Sequence, residues 1–349
     1  MTPKYKRVFL SAIGYELGPV VVTSVELEDR LAPVYSRLNL QAGQLEAWTG
    51  IVERRWWQPG AQLSACAAAA ARKALRKAAC DPGSIGMLIY AGVCRENFEP
   101  ATACAVADGI GVRGDALVFD ISNACLGVLN GMIEIANRIE LGQIRAGLVV
   151  SCETAREINE IMAARLLNGG GMEEFTRALA TFTGGSGAVA VLLTDGSFPG
   201  LPGHRLLGAV SQVAPEHHRL CRWGLEMSDA TNQRQFMATD SVAVMKYGVQ
   251  LGQRTWASFL GAMEWTESSV DRVICHQVGH GHQEAILKAL GLPKEKDYTT
   301  YRFLGNMGTA ALPSAAAIAD ERGVLKAGQR VGFLGIGSGL TCLMMGLEW

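Results

Sequence analysis

The chain reads as an α/β fold in two similarly ordered halves, expected to span residues 1–200 and 201–349. Three observations predict this. Short apolar runs of strand length alternate with helix-patterned stretches along the chain, the pattern of sheets covered by helices. The order of strand, helix, strand, helix and closing pair of strands occurs twice. Finally, SNACLGVLNG in the first half and GNMGTAALPSA in the second each open a helix of small residues, which suggests an internal duplication.

In chain order, residues 6–13 form the first expected strand. Residues 63–79 are Ala-rich with late Lys and Arg, and Pro82-Gly83 closes them, so they read as a helix. A buried strand follows at 87–92, then a helix at 100–107 with Pro in its first turn. Residues 116–121 are a strand leading into a helix, and 147–152 are another strand. Residues 153–187 form a polar, Gly-interrupted insertion with helical pieces, a candidate lid or subunit contact; 188–194 close the first half. After a Gly/Pro-rich bridge at 195–204 the order restarts, with a strand at 205–213 and a long helix at 236–264. A strand at 273–275, a helix to about residue 290, an Ala-rich helix at 309–320 and two strands at 329–334 and 340–347 complete it.

The bulk properties narrow the function. A chain of 349 residues with 49% hydrophobic content can bury a large core. Lys plus Arg number 32 and Asp plus Glu 33, a net charge of -1, which predicts no broad basic face and no nucleic-acid partner. The start carries no long apolar stretch, and no run reaches the roughly 18 apolar residues of a membrane span. Nine scattered cysteines with no CxxC pair fit a reduced, cytoplasmic protein with free thiols.

Cys125 stands out among them. It sits where the 116–121 strand gives way to a helix, and a helix N-terminus favours thiolate, the nucleophilic form. Gly127 and Gly131 follow four apart, which permits close packing against another element at a cost in helix stability. Cys66, Cys80, Cys104, Cys275 and Cys342 fall on apolar faces or strands and read as inert core thiols. His276 ends a short apolar strand and Asn306 lies in a Gly-rich turn. Each has an ordinary structural reading, yet a cysteine with a distant His and Asn is also a candidate set for covalent catalysis. His276, His280 and His282 raise a metal alternative, against which stand the missing HExxH glutamate and the lack of a further ligand, so no metal is expected. The GIGSG run at 335–339 precedes a strand rather than a helix, and TGGSGA at 183–188 lacks a Lys; neither reads as a phosphate loop.

Cys125 after its strand, His276-Gln277, Gly305-Asn306, Thr49-Gly50-Ile51 with Glu53-Arg54, and the terminal GIGSGL together resemble the thiolase superfamily, most of all its β-ketoacyl synthase III branch. Within that branch VCRENFEPATACAVADGIGV, MATDSVAVMKYGVQLG and FLGNMGTAALP resemble the acyl-CoA condensing enzymes of long-chain olefin biosynthesis, the OleA family. The resemblance implies a five-layered αβαβα sandwich, a homodimer, and catalytic Cys125, His276 and Asn306. It implies an oxyanion hole from the backbone of Cys125 and Ser338, and Glu99 as a base that crosses into the partner's site. From sequence alone Glu99 reads as a carboxylate at a helix start. The implied reaction is non-decarboxylative Claisen condensation of two fatty acyl-CoA molecules to a 2-alkyl-3-oxo acid, with coenzyme A entering as part of the substrate, no separate cofactor, and downstream olefin-pathway enzymes as possible partners. The alternative is a decarboxylative 3-oxoacyl-[acyl-carrier-protein] synthase III. Arg54 and Arg55, beside Trp56 and Trp57, are candidates to meet the CoA phosphates and adenine, while Trp48 stands where the synthase III pattern has an Arg.

Overall fold

The computed structural model describes residues 3–198, 203–228 and 231–349. The first half begins with β1 (Phe9–Leu17) and β2 (Val20–Thr23), then α1 (Ser24–Arg30), α2 (Ala32–Arg37), α3 (Gln44–Thr49) and β3 (Glu53–Trp56). It continues with α4 (Leu63–Lys77), β4 (Met87–Tyr90), α5 (Thr102–Ile110), β5 (Leu117–Asp120), α6 (Gly127–Glu140) and β6 (Ala146–Glu153). It ends with α7 (Arg156–Leu167), α8 (Met172–Ala178) and β7 (Gly187–Thr194). The second half holds β8 (His204–Val213), β9 (Cys221–Met227), β10 (Gln233–Thr239), α9 (Ser241–Met263), β11 (Arg272–Cys275) and α10 (His280–Ala289). Then come α11 (Tyr301–Leu304), α12 (Ala311–Glu321), β12 (Arg330–Gly337) and β13 (Thr341–Glu348). The expected boundary between residues 200 and 201 lies outside the described residues.

Strand pairing shows the duplication directly. Among the described residues the main sheet runs β11-β12-β13-β8-β1-β7-β6-β4-β5. In the first half β1 pairs with β7, β7 with β6, β6 with β4, and β4 in parallel with β5. In the second, β8 pairs with β13, β13 with β12 and β12 with β11, while a parallel bridge from Val273 to Asp297 stands where β5 would be. Short pairing of Phe9 and Leu10 with Arg205 and His204 joins the halves.

Alternating strand residues sort into separate cores, as period-two side chains require. Met87, Ile89 and Val149 of the first half and Ile274, Phe333 and Met345 of the second face α6 and α12 between them. Leu88, Val150 and Leu192 turn outward onto α4 and α5. Val273, Leu334 and Met344 turn outward onto α9 and α10. This is the five-layered αβαβα arrangement. The middle layer explains the small-residue helices: every residue from Ala311 to Ala319 of α12 is buried, and all but Ser314 are apolar. A further core of Leu31, Val34, Tyr35, Trp56, Phe175 and Phe182 binds α1 and α2 to the 153–187 insertion, whose helices also lie on β10.

Two element assignments change. The helix expected over 236–264 begins only at Ser241, because Phe236–Thr239 pairs with Cys221–Gly224 and the Asp240 carboxylate caps α9 at Ala243 N–H (2.9 Å). The helix expected from residue 100 begins at Thr102, where Asp120 from β5 accepts the N–H groups of Thr102 (3.0 Å) and Ala103 (2.9 Å). Glu99 is therefore not the helix-starting carboxylate; Asp120 holds that place.

Candidate active site

Cys125 sits in a tight elbow between β5 and α6. Ala124 has φ of 45°, and Leu126 and Gly127 N–H close back onto the carbonyls of Asn123 (2.9 Å) and Ala124 (3.3 Å). Gly127 is needed there because a Cβ would lie 2.1 Å from the Ala91 carbonyl oxygen, and at Gly131 one would meet a Val149 methyl at 2.7 Å. The pair thus lets α6 press onto the carboxyl end of β4 and the middle of β6. From the other side Gly337, at the end of β12, approaches so closely that its Cβ would touch the Cys125 nitrogen at 3.4 Å. Ser338, the second expected oxyanion donor, follows at once in the turn to β13.

His276 directly follows β11, and its N–H bonds Leu334 O of neighbouring β12 (3.0 Å). Gln277 locks that segment by donating to Cys275 O (2.7 Å) and accepting from Thr300 N–H (2.7 Å). Asn306 is fixed by backbone bonds to Thr183 O (2.8 Å) and from Gly185 N–H (2.9 Å), so the TGGSGA run serves as its cradle. Gly305 permits this with φ of 68°, where a Cβ would strike Thr183 O at 2.6 Å. The Asn306 carboxamide oxygen accepts Gly308 N–H (3.1 Å). Cys125 and Asn306 each occupy the turn before a middle-layer helix, α6 or α12, so the duplication makes their positions equivalent.

The electrostatics differ from the expectation for Cys125. Burial first, then the nearby Cys221 and Glu153, push its thiol up to about 12, and only its own backbone N–H pulls the other way. The N–H groups of Leu126 and Gly127 are already used by the elbow, which blunts the expected helix-end effect. The Cys125 side chain is a neutral thiol. Burial, with His282 adding to it, lowers His276 to about 3, and burial lowers His282 to about 4. Both rings are neutral at working pH, available as hydrogen-bond partners but weak as proton acceptors. The metal alternative loses its geometry: His276 follows a strand while His280 opens α10 and pairs outward with Glu284 (3.0 Å).

Glu99 lies on an exposed segment beside a fully exposed Phe98. Arg54 is a correction. It is entirely buried, donating to Phe182 O (3.0 Å), Ser24 Oγ (3.1 Å) and Val22 O (3.4 Å), and it presents nothing to a phosphate. Trp56 and Trp57 are likewise buried, their indole N–H groups given to Gly184 O (3.2 Å) and Glu153 O (3.0 Å), so neither can stack on adenine. Arg55 is partly exposed, 3.6 Å from Glu53.

Sequence reasoning missed Glu153. It is 4% exposed at the end of β6 and accepts bonds from Val93, Cys94 and Thr309. The signal was available: a carboxylate directly after the apolar run AGLVVSC.

The family described as 3-oxoacyl-[acyl-carrier-protein (ACP)] synthase III C terminal matches residues 260–349. The chain is 53% identical to an acyl-CoA:acyl-CoA alkyltransferase of Shewanella oneidensis, over 99% of this chain and 100% of that one. It is 35% identical to an acyl-CoA:acyl-CoA alkyltransferase of Xanthomonas campestris pv. campestris, over 99% of each. Among solved structures it resembles Xanthomonas campestris OleA with a TM-score of 0.92 and 34% identity, covering 99% of this chain and 98% of that one. A cysteine-to-serine variant of that enzyme, with bound lauric acid and lauroyl-CoA, matches with the same TM-score of 0.92 and 34% identity, over 99% and 100% of the two chains.

Proposed function

Because the chain belongs to the acyl-CoA:acyl-CoA alkyltransferase family, we propose that it joins two long-chain fatty acyl-CoA molecules by non-decarboxylative Claisen condensation, giving a 2-alkyl-3-oxo acid. What carries the reading beyond membership is the Cys125 elbow, pressed by Gly337 and set in the same layer as the Asn306 turn.

Burial holds both the Cys125 thiol and the His276 ring neutral, so the Cys125 proton passes to the departing CoA sulfur as the cysteine sulfur attacks the first thioester. CoA leaves as its thiol, and the acyl group stays on Cys125. The N–H groups of Cys125 and Ser338 hold the oxyanion; a donor of this kind is worth on the order of 10²–10³ in rate. The second acyl-CoA then loses its α-proton to Glu99 of the partner subunit, a role that suits a carboxylate on an exposed segment with no part in its own chain's core. His276 and Asn306 hydrogen-bond the thioester oxygen as it gains charge. The carbanion attacks the acyl carbonyl and expels Cys125, and hydrolysis of the remaining CoA thioester frees the product. This reading makes the protein a homodimer with its chemistry in two chains, located in the cytoplasm, needing coenzyme A only as part of its substrate. Downstream olefin-pathway enzymes would take the product. Arg55 is the remaining member of the pair able to meet a CoA phosphate.

The test is mass spectrometry after incubation with one pure long-chain acyl-CoA. Cys125→Ala is expected to release no CoA and carry no adduct. Glu99→Ala is expected to acylate at the normal rate and lose condensation by roughly 10²–10⁴, the span of general-base catalysis. Condensation by Glu99→Ala at the wild-type rate would remove Glu99 from the mechanism. The synthase III match at residues 260–349 also fits the decarboxylative alternative, and product formed only when a malonyl donor is present would establish that one instead.

A further inference from the structure

We propose that Glu153 is a positioning residue of this site, its carboxylate tying the root of the Glu99-bearing segment to the turn that presents Asn306. The inference rests on the condensation reading above and adds a residue to it.

Glu153 ends β6, buried. One carboxylate oxygen accepts Val93 N–H (3.0 Å), the Thr309 hydroxyl (2.6 Å) and, more weakly, Thr309 N–H (3.4 Å); the other accepts Cys94 N–H (3.1 Å). Val93 and Cys94 begin the segment that runs out to Glu99. Thr309 lies in the turn opened by Asn306, whose carboxamide is bonded to Gly308. A single carboxylate thus spans two segments more than 200 residues apart in sequence, on the two halves of the fold. The Thr309 hydroxyl that donates to it is backed by Ser151 Oγ (2.5 Å), which fixes the bond's direction. No cation pairs with Glu153 among the described residues, so the buried carboxyl group is held by neutral donors alone. Burying a carboxylate this way is costly, and a core built only for stability is served as well by an apolar side chain. Glu153 also faces the nucleophile closely enough that its charge raises the Cys125 thiol.

The experiment compares Glu153→Gln, Glu153→Asp and Thr309→Val with wild type. Steady-state condensation is followed with lauroyl-CoA, and the pH profile of Cys125 alkylation by iodoacetamide is read by peptide mass spectrometry. In Glu153→Gln an amide N–H₂ must face one of the N–H donors and the charge is gone. Its kcat is expected to fall roughly tenfold or more with KM nearly unchanged, as for a misplaced reacting group. Its Cys125 alkylation is expected to move to lower pH, because an anion next to the thiol has been removed. Glu153→Asp keeps the charge and is expected to restore the wild-type alkylation profile while recovering only part of kcat. Thr309→Val loses the hydroxyl alone, and is expected to lower kcat with the profile unmoved. A folded Glu153→Gln with wild-type kcat, or with an unmoved alkylation profile, overturns the inference. If Glu153→Gln does not fold, wild-type kcat in Thr309→Val overturns it. If wild type itself makes no condensation product, the function is wrong, and the alkylation profiles alone then judge Glu153.

Discussion

Gly127→Ala is the sharpest test of how the elbow is built. A Cβ there would lie 2.1 Å from Ala91 O and 3.3 Å from a Thr309 methyl, so α6 is wedged between the end of β4 and the start of α12. An ordinary contact needs well over 3 Å, so the start of α6 must move by about 1 Å, and the obstacle is backbone that cannot rotate aside. Overpacking of this kind costs about 1–3 kcal/mol, and the upper end applies here. Replacing a helical glycine returns about 1 kcal/mol. The net loss is about 2 kcal/mol, or roughly 4 °C in Tm for a chain of this size. The catalytic effect is larger, because a 1 Å shift of a reacting group costs on the order of 10²-fold. Cys125 is two residues away on the same elbow, so a shift at the start of α6 is carried to it. Gly131→Ala is the control: its Cβ meets a Val149 methyl at 2.7 Å, a clash with side chain and not backbone, one helical turn further from the sulfur. Single-turnover CoA release and calorimetry are the assays. Gly127→Ala acylating at the wild-type rate, or the two variants losing acylation equally, would show that the wedge does not position the nucleophile.

Two further perturbations follow from the same geometry. Arg54→Met removes the donor to the buried Phe182 carbonyl and is expected to cost about 1–3 kcal/mol of stability while leaving KM for acyl-CoA unchanged; a raised KM at unchanged Tm would return Arg54 to the CoA site. Burial holds Asp297 up at about 6, offset in part by bonds from Cys275 N–H and Gln283. Its folded pKa lies above the unfolded value, so ionisation opposes folding and its contribution to stability falls as pH rises from about 4 to above 6, by up to about 3 kcal/mol. Asp297→Asn is expected to flatten that part of the pH–stability curve, and an unaltered curve in denaturant titrations at pH 4, 5, 6 and 7 would contradict the assignment.

The alternation of strands and helices, the duplicated order and the Cys125, His276 and Asn306 positions were legible in the sequence because each rests on local pattern: apolar period, a small-residue helix start, a polar residue at a strand end. The β9–β10 pairing was not, since Phe236–Thr239 reads as helix until Cys221–Gly224 lies beside it. Arg54 and Glu153 were misread or missed for one reason. Whether a charge meets solvent, a ligand or neutral donors depends on which distant segments close over it. Phe182 closes over Arg54, and Thr309 with Val93 closes over Glu153. The state of Cys125 divides the same way. The chain itself places a cysteine ahead of a helix, but only the tertiary packing, by partly burying the sulfur beside Cys221 and Glu153 and spending the elbow's N–H groups on its own turn, makes that cysteine a neutral thiol.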